Sequence, residues 1–296
     1  MCELFCLSSR LPTRTTFSLR TFANHGAPGA TPIDGWGLAL YDGADVRLYK
    51  EPEPAGDSAW LGFVEGRRLA SRLLLSHIRH ATMGDISFAN TQPFVRELGG
   101  RRHVFAHNGA LQTIANRART PLRFRPVGAT DSELAFCLLL ERLAPLWAGS
   151  SLPDLSDRLD IVTRFAADMR KLGPANFLYA DSDALFAHSH RRMQADRTIA
   201  APGLWLRQRE CACDPDGLPQ AGVKVEDGHD GQKLVLLASV PLGADGWRPL
   251  AEGEVIVVKD GEVVCSREPP PRRRARSDQA ESPAAAPHAP VRAAAI

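Results

Sequence analysis

Hydrophobic residues in this chain lie mostly in short runs, interrupted by two longer segments in which they recur every three or four positions. Short runs bounded by Gly, Pro, Asn and Asp are typical of β-strands, whereas the wider spacing is typical of amphipathic helices. The helical segments are Asp131–Trp147 and Leu155–Lys171. The predicted strands are CELFCLSS (2–9), GWGLALYD (35–42), RLLLSHIRHAT (72–82), RHVFAHNG (102–109), ANFLYADS (175–182), ALFAHS (184–189), KLVLLASVPL (233–242) and EVIVVKDGEVV (254–264).

The order of these elements predicts the fold class. Strands follow one another in adjacent pairs rather than alternating with helices, and the KDGE stretch at 259–262 is typical of a hairpin turn. Thr130 and Glu133 have the spacing of a capping box, which predicts where the first helix begins. Adjacent strand pairs favour antiparallel sheets with helices stacked outside them, in an α+β layered domain.

Composition narrows the class of protein. The chain has 296 residues, of which 44% are hydrophobic and 24% charged, and its formal net charge is +2. These proportions are typical of a soluble globular protein, and the small net charge gives no reason to expect a nucleic-acid partner. No apolar span reaches the ~18 residues of a membrane helix, and the first residues lack the pattern of a secretion signal. We therefore expect a cytoplasmic protein with no membrane partner.

Cysteine spacing and the composition of the tail bear on domain organisation. The six cysteines are not spaced like a disulfide framework, and the close pair Cys211 and Cys213 has no matching His or Cys cluster to complete a zinc site. No metal or cofactor is therefore expected. Residues 268–296 lack aromatic residues and are rich in Pro, Ala and Arg, which predicts a disordered tail. The folded domain is predicted to cover residues 2–267.

Cys2 is the first residue with candidate chemistry. Its small side chain permits removal of Met1, which would place a thiol and a free α-amine on the same residue. With a pKa of about 7.7–8, such an amine is partly neutral at neutral pH and can take the thiol proton. If Met1 is retained, Cys2 only begins an apolar strand, and its position alone favours neither interpretation decisively.

The stretch SHIRHATMGD (76–85) carries a second candidate. Because side chains alternate along a strand, His77 and Arg79 share one face while His80 lies on the other, which argues against a metal site formed by the two histidines. A partly buried Arg79 needs an anion. A substrate carboxylate held bidentately and a structural Asp or Glu are equally good candidates for it.

Two further stretches offer polar groups beside a glycine or a helix start. In FAHNGAL (105–111), the Asn108 amide and the Gly109 backbone N–H could form an oxyanion hole, although Asn-Gly is also an ordinary turn sequence. Asp131 lies in the first turn of a predicted helix, where it could bind a substrate ammonium. The helix dipole alone also explains an acid at that position.

These motifs, in this order, resemble the class II glutamine amidotransferases. The later segments ANFLYADSDALFAHSH (175–190) and ASVPL…GW (238–247) look like the compact, stand-alone YafJ-type branch, which also includes the ergothioneine-pathway γ-glutamyl hydrolases. Two positions depart from the family pattern: Gln92 replaces a common His, and His25 stands where Arg-Gly is common. The motifs that carry the resemblance are Met1-Cys2, Asp34-Gly35-Trp36-Gly37, His77-Ile78-Arg79-His80-Ala81-Thr82, His107-Asn108-Gly109 and Thr130-Asp131-Ser132-Glu133.

The resemblance implies an N-terminal-nucleophile fold, which is a four-layer αββα sandwich of two antiparallel sheets flanked by helices. It also implies a role for each site residue. Cys2 would be the nucleophile, with its own α-amine as the base. Asn108 and Gly109 would stabilise the oxyanion, Arg79 and Thr82 would hold the α-carboxylate of glutamine, and Asp131 would hold its α-ammonium.

The reaction that the resemblance implies is hydrolysis of the side-chain amide of glutamine to glutamate and ammonia through a Cys2 γ-glutamyl thioester. Ammonia would pass to a separate synthase or to solvent. A γ-glutamyl amide or peptide hydrolase would use the same contacts to the amino-acid end of its substrate. The remaining alternatives are a non-catalytic amino-acid-binding domain, which would tolerate a retained Met1, and an N-terminal-nucleophile acylase for another amide.

Overall fold

The structure, a computed structural model, describes most of the chain. The described ranges are 2–17, 34–56, 58–67, 69–81, 83–118, 121–149, 151–211, 223–225, 231–243 and 245–269, without the side chains of 15–17, 211 and 223–225. The predicted tail at 268–296 and the Cys211–Cys213 pair thus lie largely outside the described residues. No described helix is long and apolar enough to cross a lipid bilayer.

Strands dominate the described residues, and three α-helices accompany them. The helices are α1 (Ala59–Gly66), α2 (Asp131–Leu143) and α3 (Leu155–Met169). The strands are β1 (Glu3–Phe17), β2 (Gly35–Asp42), β3 (Asp45–Glu51), β4 (Ala70–Arg79), β5 (Phe94–Leu98), β6 (Arg101–Gly109), β7 (Ala175–Ala180), β8 (Leu185–His188), β9 (Arg192–Met193), β10 (Ile199–Ala200), β11 (Trp205–Cys211), β12 (Val223–Val225), β13 (Gln232–Ala238), β14 (Arg248–Pro249), β15 (Val255–Lys259) and β16 (Glu262–Arg267).

The strands form two large sheets in which neighbouring strands pair antiparallel. The first sheet has eight strands in the order β14-β11-β13-β1-β4-β2-β3, with β12 beside the far end of β1. The second sheet has six strands in the order β16-β15-β8-β7-β6-β5, and β9 and β10 form a separate hairpin. Strand β1 is central in its sheet, since β13 and β4 pair with it on either side.

Three clusters of buried side chains separate four layers. One cluster lies between the sheets and contains Leu4 and Leu75 from the first sheet and Leu178 from the second. Helix α1 covers the outer face of the first sheet, where Leu61 packs near Phe5. Helices α2 and α3 cover the outer face of the second sheet. The α+β sandwich with the layer order αββα, which the sequence and the family resemblance predicted, is confirmed.

Both faces of β1 are buried because its sheet is covered on both sides. Successive side chains of a strand point to opposite faces, so Leu4 and Cys6 enter the cluster between the sheets while Phe5 and Leu7 pack beneath α1. This explains why β1 has an unbroken apolar run instead of an alternating pattern.

Most predicted elements are present, with shifted ends. Helix α2 begins where predicted, and the Glu133 backbone N–H donates to Thr130 Oγ1 at 3.2 Å. The reciprocal half of the capping box is not formed, because the Glu133 carboxylate instead accepts from the Gly128 backbone N–H at 2.7 Å and pairs with Arg96. The helix ends at Leu143 rather than at residue 147, where a short 3₁₀ turn (Leu146–Ala148) follows.

Two turn predictions had opposite outcomes. The hairpin at 259–262 is confirmed: Lys259 pairs with Glu262, and Asp260 and Gly261 both have positive φ, at 48° and 75°. The interpretation of Asn108–Gly109 as an ordinary turn is wrong. Strand β6 continues through both residues, which pair with Asn176 and Ala175 of β7.

Candidate active site

Strand β1 places Cys2 at the edge of the sandwich, one residue before the strand begins. The Cys2 Sγ atom lies beside the end of β4, where it accepts from the His80 backbone N–H at 3.4 Å and lies 3.5 Å from the His80 carbonyl oxygen. Since Glu3 pairs with Ile78 in the adjacent ladder, the backbone on the C-terminal side of Cys2 is fixed.

The environment of Cys2 favours the protonated thiol. Burial raises the pKa of the Cys2 thiol, and the hydrogen bond from His80 and the nearby Arg79 cation only partly oppose that rise. Little thiolate is therefore present at neutral pH unless a base accepts the proton.

Asn108 lies against Cys2 from the second sheet. Its side-chain Nδ2 donates to the Cys2 carbonyl oxygen at 2.5 Å and lies 3.5 Å from Ser239 Oγ. The Ser239 hydroxyl in turn accepts from the Leu4 backbone N–H at 2.9 Å. The amide of Asn108 therefore bridges the two sheets at Cys2. Its contact with Ser239 Oγ is the longer and weaker of the two, so it is the one that a ligand can most easily replace.

Gly109 follows at a point where two backbones approach closely. A Cβ atom at this position would lie 1.9 Å from the Pro174 carbonyl oxygen, so only glycine fits without a backbone shift. The close approach is fixed by the Ala110 backbone N–H, which donates to the same Pro174 oxygen at 3.1 Å. The Gly109 backbone lines the same small cavity as Cys2.

Arg79 is 3% exposed, as its place on the inner face of β4 predicts, but its partners are unexpected. Its Nη2 donates to three backbone carbonyl oxygens, those of Met83, Gly84 and Asp85, at 3.1–3.2 Å. The expectation of a structural Asp or Glu is therefore wrong for the described residues. Its Nη1 is buried and has no hydrogen-bond partner among them.

Asp131 is 8% exposed at the start of α2. Its Oδ2 accepts from the Leu111 backbone N–H at 2.7 Å, and its Oδ1 accepts from the Ser132 backbone N–H at 2.8 Å. The Ser132 hydroxyl links it to His107, whose Nδ1 lies 2.9 Å from Ser132 Oγ. Each carboxylate oxygen accepts about two hydrogen bonds, so Asp131 retains acceptor capacity for a ligand.

Burial lowers the pKa of His107, and the Asp131 carboxylate opposes that shift. The side chain of His107 stacks on Phe105 at a centroid distance of 6.5 Å, on the face of the second sheet that the helices cover. His107 is thus a neutral polar link to Asp131 within the site.

Gln92, one of the two departures from the family pattern, completes the hydrogen bonding of β6. Its Nε2 donates to the His107 carbonyl oxygen at 3.1 Å, and its Oε1 accepts from the His107 backbone N–H at 2.6 Å. A side-chain amide has both a donor and an acceptor, so Gln92 imitates a neighbouring strand just before Asn108. His25, the other departure, and Thr82, a predicted carboxylate ligand, both lie outside the described residues.

His77 lies on β4, and His80 directly follows Arg79, the last residue of that strand. His77 is fully buried and pairs with Leu4 between the sheets, whereas His80 lines the cavity beside Cys2. Within the described ranges, no group of three or more His, Cys, Asp or Glu side chains is arranged to hold a metal ion.

The site residues surround a small cavity of about 30 Å³. This volume holds about one water molecule and is far too small for an amino acid. The loop 83–90 forms one wall of this cavity, and Arg79 donates to its backbone carbonyls. Asn90 joins the loop to the residues before α2, since Asn90 Oδ1 accepts from the Ala129 backbone N–H at 2.8 Å. The lining residues are Cys2, Arg79, His80, Met83, Asn90, Gln92, His107, Gly109, Thr130, Asp131 and Ser132.

A larger cavity of about 580 Å³ lies elsewhere, beside the middle of β1 and the first residues of β4. Its charged lining is balanced, with three basic and three acidic side chains, and Lys259 pairs with Asp183 across it at 2.8 Å. The lining contains no cysteine or histidine, so the small cavity at Cys2 is the candidate active site.

Sequence reasoning did not identify several polar residues of the site. Asn176 is fully buried, and its Nδ2 donates to the Asn108 carbonyl oxygen at 3.0 Å. Ser239, Asn90 and Ser132 are likewise buried and hydrogen-bonded within the site. The available signal was a polar residue at an inward position of an otherwise apolar strand, as in ANFLYA for Asn176.

Known proteins share this sequence pattern and fold. A family model of the class II glutamine amidotransferases matches residues 1–282. An Escherichia coli K12 protein, provisionally named glutamine amidotransferase YafJ, is 34% identical over 188 residues, which cover 64% of this chain and 72% of that protein. A Pseudomonas aeruginosa PA01 structure described as a predicted glutamine amidotransferase superposes with a TM-score of 0.67 at 30% identity, covering 89% of this chain and 100% of that one. The glutamine phosphoribosylpyrophosphate amidotransferase of B. subtilis superposes with a TM-score of 0.56 at 16% identity over 90% of this chain and 49% of that chain, which is a likeness of fold alone.

Proposed function

The chain belongs to the class II glutamine amidotransferases, and from that premise we propose that it hydrolyses the side-chain amide of glutamine through a thioester on Cys2. The observation that carries the proposal is the contact between Asn108 Nδ2 and the Cys2 carbonyl oxygen at 2.5 Å, beside a buried Arg79 and Asp131. A thiol, an amide donor and groups for both ends of an amino acid are thus within one small site.

Activation of the nucleophile requires the residue-2 amine. Because burial raises the pKa of the Cys2 thiol, a base is needed at neutral pH. The contacts of His80 with Sγ come from its backbone N–H and carbonyl oxygen, neither of which is a base at neutral pH. Removal of Met1 would supply an α-amine two bonds from the Cys2 side chain, with an ordinary pKa of about 7.7–8.

The amino-acid end of glutamine has complementary partners. The buried Arg79 Nη1 offers a donor to the α-carboxylate, while Nη2 remains on the loop carbonyls. The Asp131 carboxylate offers an acceptor to the α-ammonium, and the cation and the anion line one cavity. Fixing both charged groups positions the side-chain amide for attack, which is a major source of rate enhancement.

The reaction then proceeds in two halves. The thiol proton moves to the α-amine while sulfur bonds to the amide carbon, and the Asn108 Nδ2 and the Gly109 N–H stabilise the oxygen that becomes negative. The α-ammonium returns its proton to the departing nitrogen, so the C–N bond breaks and ammonia leaves. Water adds to the thioester, with the α-amine taking its proton, and the C–S bond breaks to give glutamate and the thiol. Each oxyanion donor is typically worth ~3–4 kcal/mol of barrier.

Glutamine can reach this site only if the cavity enlarges. The loop 83–90 is the wall best suited to move, because its carbonyls are held by one side chain, and Met83 and Ile86 on it are 50% and 57% exposed. Binding energy from the α-carboxylate would then be coupled to rearrangement of this loop.

Covalent trapping tests the proposal. We expect an electrophilic diazoketone analogue of glutamine to label Cys2 stoichiometrically, with protection by glutamine, and Cys2→Ala to abolish glutamate release while the protein remains folded. Cys265→Ser is the matched control, since Cys265 is also a partly exposed free thiol but lies on β16, away from the site. Labelling at another residue, or glutamate release by Cys2→Ala, would refute the proposal. A protein that retains Met1 and is not labelled would instead be the non-catalytic alternative.

A further inference from the structure

Next to Cys2 lies a buried ion pair that the proposed reaction does not use. Glu3 is 1% exposed, and its Oε1 accepts from Arg192 Nη2 at 2.6 Å. Arg192 comes from the β9–β10 hairpin and is itself 5% exposed on its side chain. Removing two charges from water costs several kcal/mol per ion, so a buried pair is seldom explained by stability alone.

The two oxygens of the Glu3 carboxylate have different surroundings. Oε1 accepts from Arg192, whereas Oε2 is buried and accepts no hydrogen bond of ordinary geometry from the described residues, which start at residue 2. The Ser239 hydroxyl lies near the carboxylate and, with Arg192, acts to lower its pKa. A buried carboxylate oxygen without a donor is costly, and one that persists beside a reactive residue indicates a function.

Arg192 also ties this carboxylate to the oxyanion side of the site. Its Nη1 donates to the Ser239 carbonyl oxygen at 2.8 Å, and the Ser239 hydroxyl lies 3.5 Å from the Asn108 amide. Glu3, Arg192 and Ser239 therefore form a rigid support around the first residues of β1. Burial raises the pKa of the Glu3 carboxyl, and the Arg192 cation opposes this rise and favours the carboxylate.

We propose that Glu3 is a positioning residue for the nucleophile, whose Oε2 accepts a hydrogen bond from the α-amine that Met1 removal creates on Cys2, both before and after that amine takes the thiol proton. The inference rests on the proposed function, in which that amine is the base. The hydrogen bond would orient the amine toward Sγ and leave the carboxylate ionised throughout.

The chemical benefit lies in where the proton resides. Transfer of the thiol proton to the amine creates a thiolate and an ammonium, and a nearby carboxylate stabilises the ammonium. The buried aspartate of a serine protease stabilises its histidine cation in the same way. The Glu3 charge also contributes to the raised pKa of the Cys2 thiol, which places the two groups within electrostatic reach.

Other charges act on the same pair and are unchanged by a substitution at Glu3. Arg79 lies on β4 beside Cys2 and lowers the pKa of its thiol, Arg192 faces Glu3 from β9, and His80 and Asp131 line the cavity. A change confined to Glu3 therefore removes a single negative charge from an otherwise constant environment.

Glu3→Gln tests the inference in the full chain after confirmation of Met1 loss by intact mass. Removing a negative charge lowers the pKa of both the thiol and the ammonium. We therefore expect both limbs of the kcat/KM profile, and the pH dependence of Cys2 alkylation by a small neutral reagent, to move about one unit toward acid. We also expect kcat to fall about tenfold or more. Asp181→Asn is the matched control, because Asp181 is 0% exposed and pairs with Arg158 at 2.8 Å outside the site. It should lose stability without shifting either profile.

A Glu3→Gln protein that is less stable but has unshifted pH profiles would show that the pair serves only the fold, and would overturn the inference. Should Glu3→Gln not fold, the wild-type protein with ¹⁵N-labelled cysteine provides the second measurement. The pH dependence of the ¹⁵N chemical shift gives the pKa of the α-amine. Contact with Glu3 should raise this pKa above about 7.7, whereas burial alone would lower it, so a pKa below about 7.7 refutes the inference. The proposed function fails if the wild-type protein neither hydrolyses glutamine nor reacts with its analogue. Alkylation of Cys2 needs no turnover, so the shift of its pH dependence in Glu3→Gln can still be measured in that case.

Discussion

Asn176 lies directly opposite Asn108 in the ladder between β7 and β6, and its side-chain Nδ2 donates to the Asn108 carbonyl oxygen at 3.0 Å. The same Nδ2 donates to the Arg191 carbonyl oxygen at 2.8 Å, and Oδ1 accepts from the His190 backbone N–H at 2.7 Å. One buried amide thus links the proposed oxyanion residue to the segment that leads to Arg192.

Replacing Asn176 by alanine should reduce turnover. Loss of its hydrogen bonds leaves buried groups unsatisfied at about 1–3 kcal/mol each and lets the Asn108 backbone relax. We expect kcat for glutamine to fall about tenfold with little change in KM, because the affected interaction acts on the transition state. Steady-state kinetics and thermal unfolding measure the two effects. Asn116→Ala, an exposed position on a short 3₁₀ turn, is the control and should change neither. Normal kcat in a destabilised Asn176→Ala would restrict the residue to a structural role.

Arg79→Lys should weaken glutamine binding. Lysine keeps the charge, but a single ammonium cannot span the carbonyls of Met83, Gly84 and Asp85 and also reach a substrate carboxylate. A lost charged hydrogen bond of about 1.5–3 kcal/mol corresponds to a KM increase of roughly tenfold to a hundredfold. Arg47→Lys is the control, since Arg47 pairs with Asp42 on the exposed surface. An unchanged KM in Arg79→Lys would place the α-carboxylate elsewhere.

Gly109→Ala should disturb both the fold and the reaction. Its new Cβ would lie 1.9 Å from the Pro174 carbonyl oxygen, so the backbone has to shift and carry the 109 N–H with it. Overpacking of this kind costs about 1–3 kcal/mol, and loss of an oxyanion donor lowers kcat by about 10²-fold or more. Calorimetry and single-turnover thioester formation test this. Gly149→Ala is the control, because nothing lies within 4 Å of a Cβ there. Full activity in Gly109→Ala would exclude the Gly109 N–H as an oxyanion donor.

The buried His77 should make the protein sensitive to acid. Burial lowers the pKa of His77 to about 3. Below pH ~6.5 the unfolded chain binds a proton at His77, whereas the folded protein does not. The contribution of His77 to the free energy of unfolding is therefore fully present above pH ~6.5 and is lost as the pH falls toward 3. Between pH 6.5 and 5 the loss is about 2 kcal/mol for this group.

Urea unfolding of His77→Leu at pH 7 and pH 5 checks that sign. The variant should show a smaller drop in unfolding free energy between the two pH values than the wild type. The wild-type drop will also contain contributions from His188 and His190, whose pKa values burial lowers to about 3 and about 4. An identical drop in His77→Leu and wild type would mean that His77 titrates normally in the folded protein.

Local sequence patterns were sufficient to predict the layers of the fold and those site residues whose positions depend on a single strand or helix. Alternation along β4 placed Arg79 on the same face as His77 and predicted its burial, and the Thr130 cap placed Asp131 in the first turn of α2. These inferences succeeded because burial and helix initiation depend on neighbours within a few residues.

Contacts between distant segments were beyond such patterns. Asn176 meets Asn108 across 68 positions, and Ser239 meets it across 131, so neither partner can be identified from spacing. The structural Asp or Glu that was one of the two candidates beside Arg79 is missing from its described contacts for a related reason. The backbone carbonyl oxygens of a loop accept the hydrogen bonds of Arg79 in place of a carboxylate. The path of a loop depends on tertiary packing rather than on its own composition, so these partners could not be predicted.

The dual use of Arg79 limits how this enzyme family member can be re-engineered. Since one guanidinium both shapes the loop 83–90 and would meet the substrate, exchanging it to accept a different molecule also dismantles the wall of the cavity. Selectivity is more safely altered through Ile86, a loop side chain that is 57% exposed, than through Phe88, whose ring lies 4.4 Å from the Lys50 ammonium. A library at Ile86 leaves the contacts of Arg79 with the loop carbonyls intact and changes the surface that an incoming molecule meets.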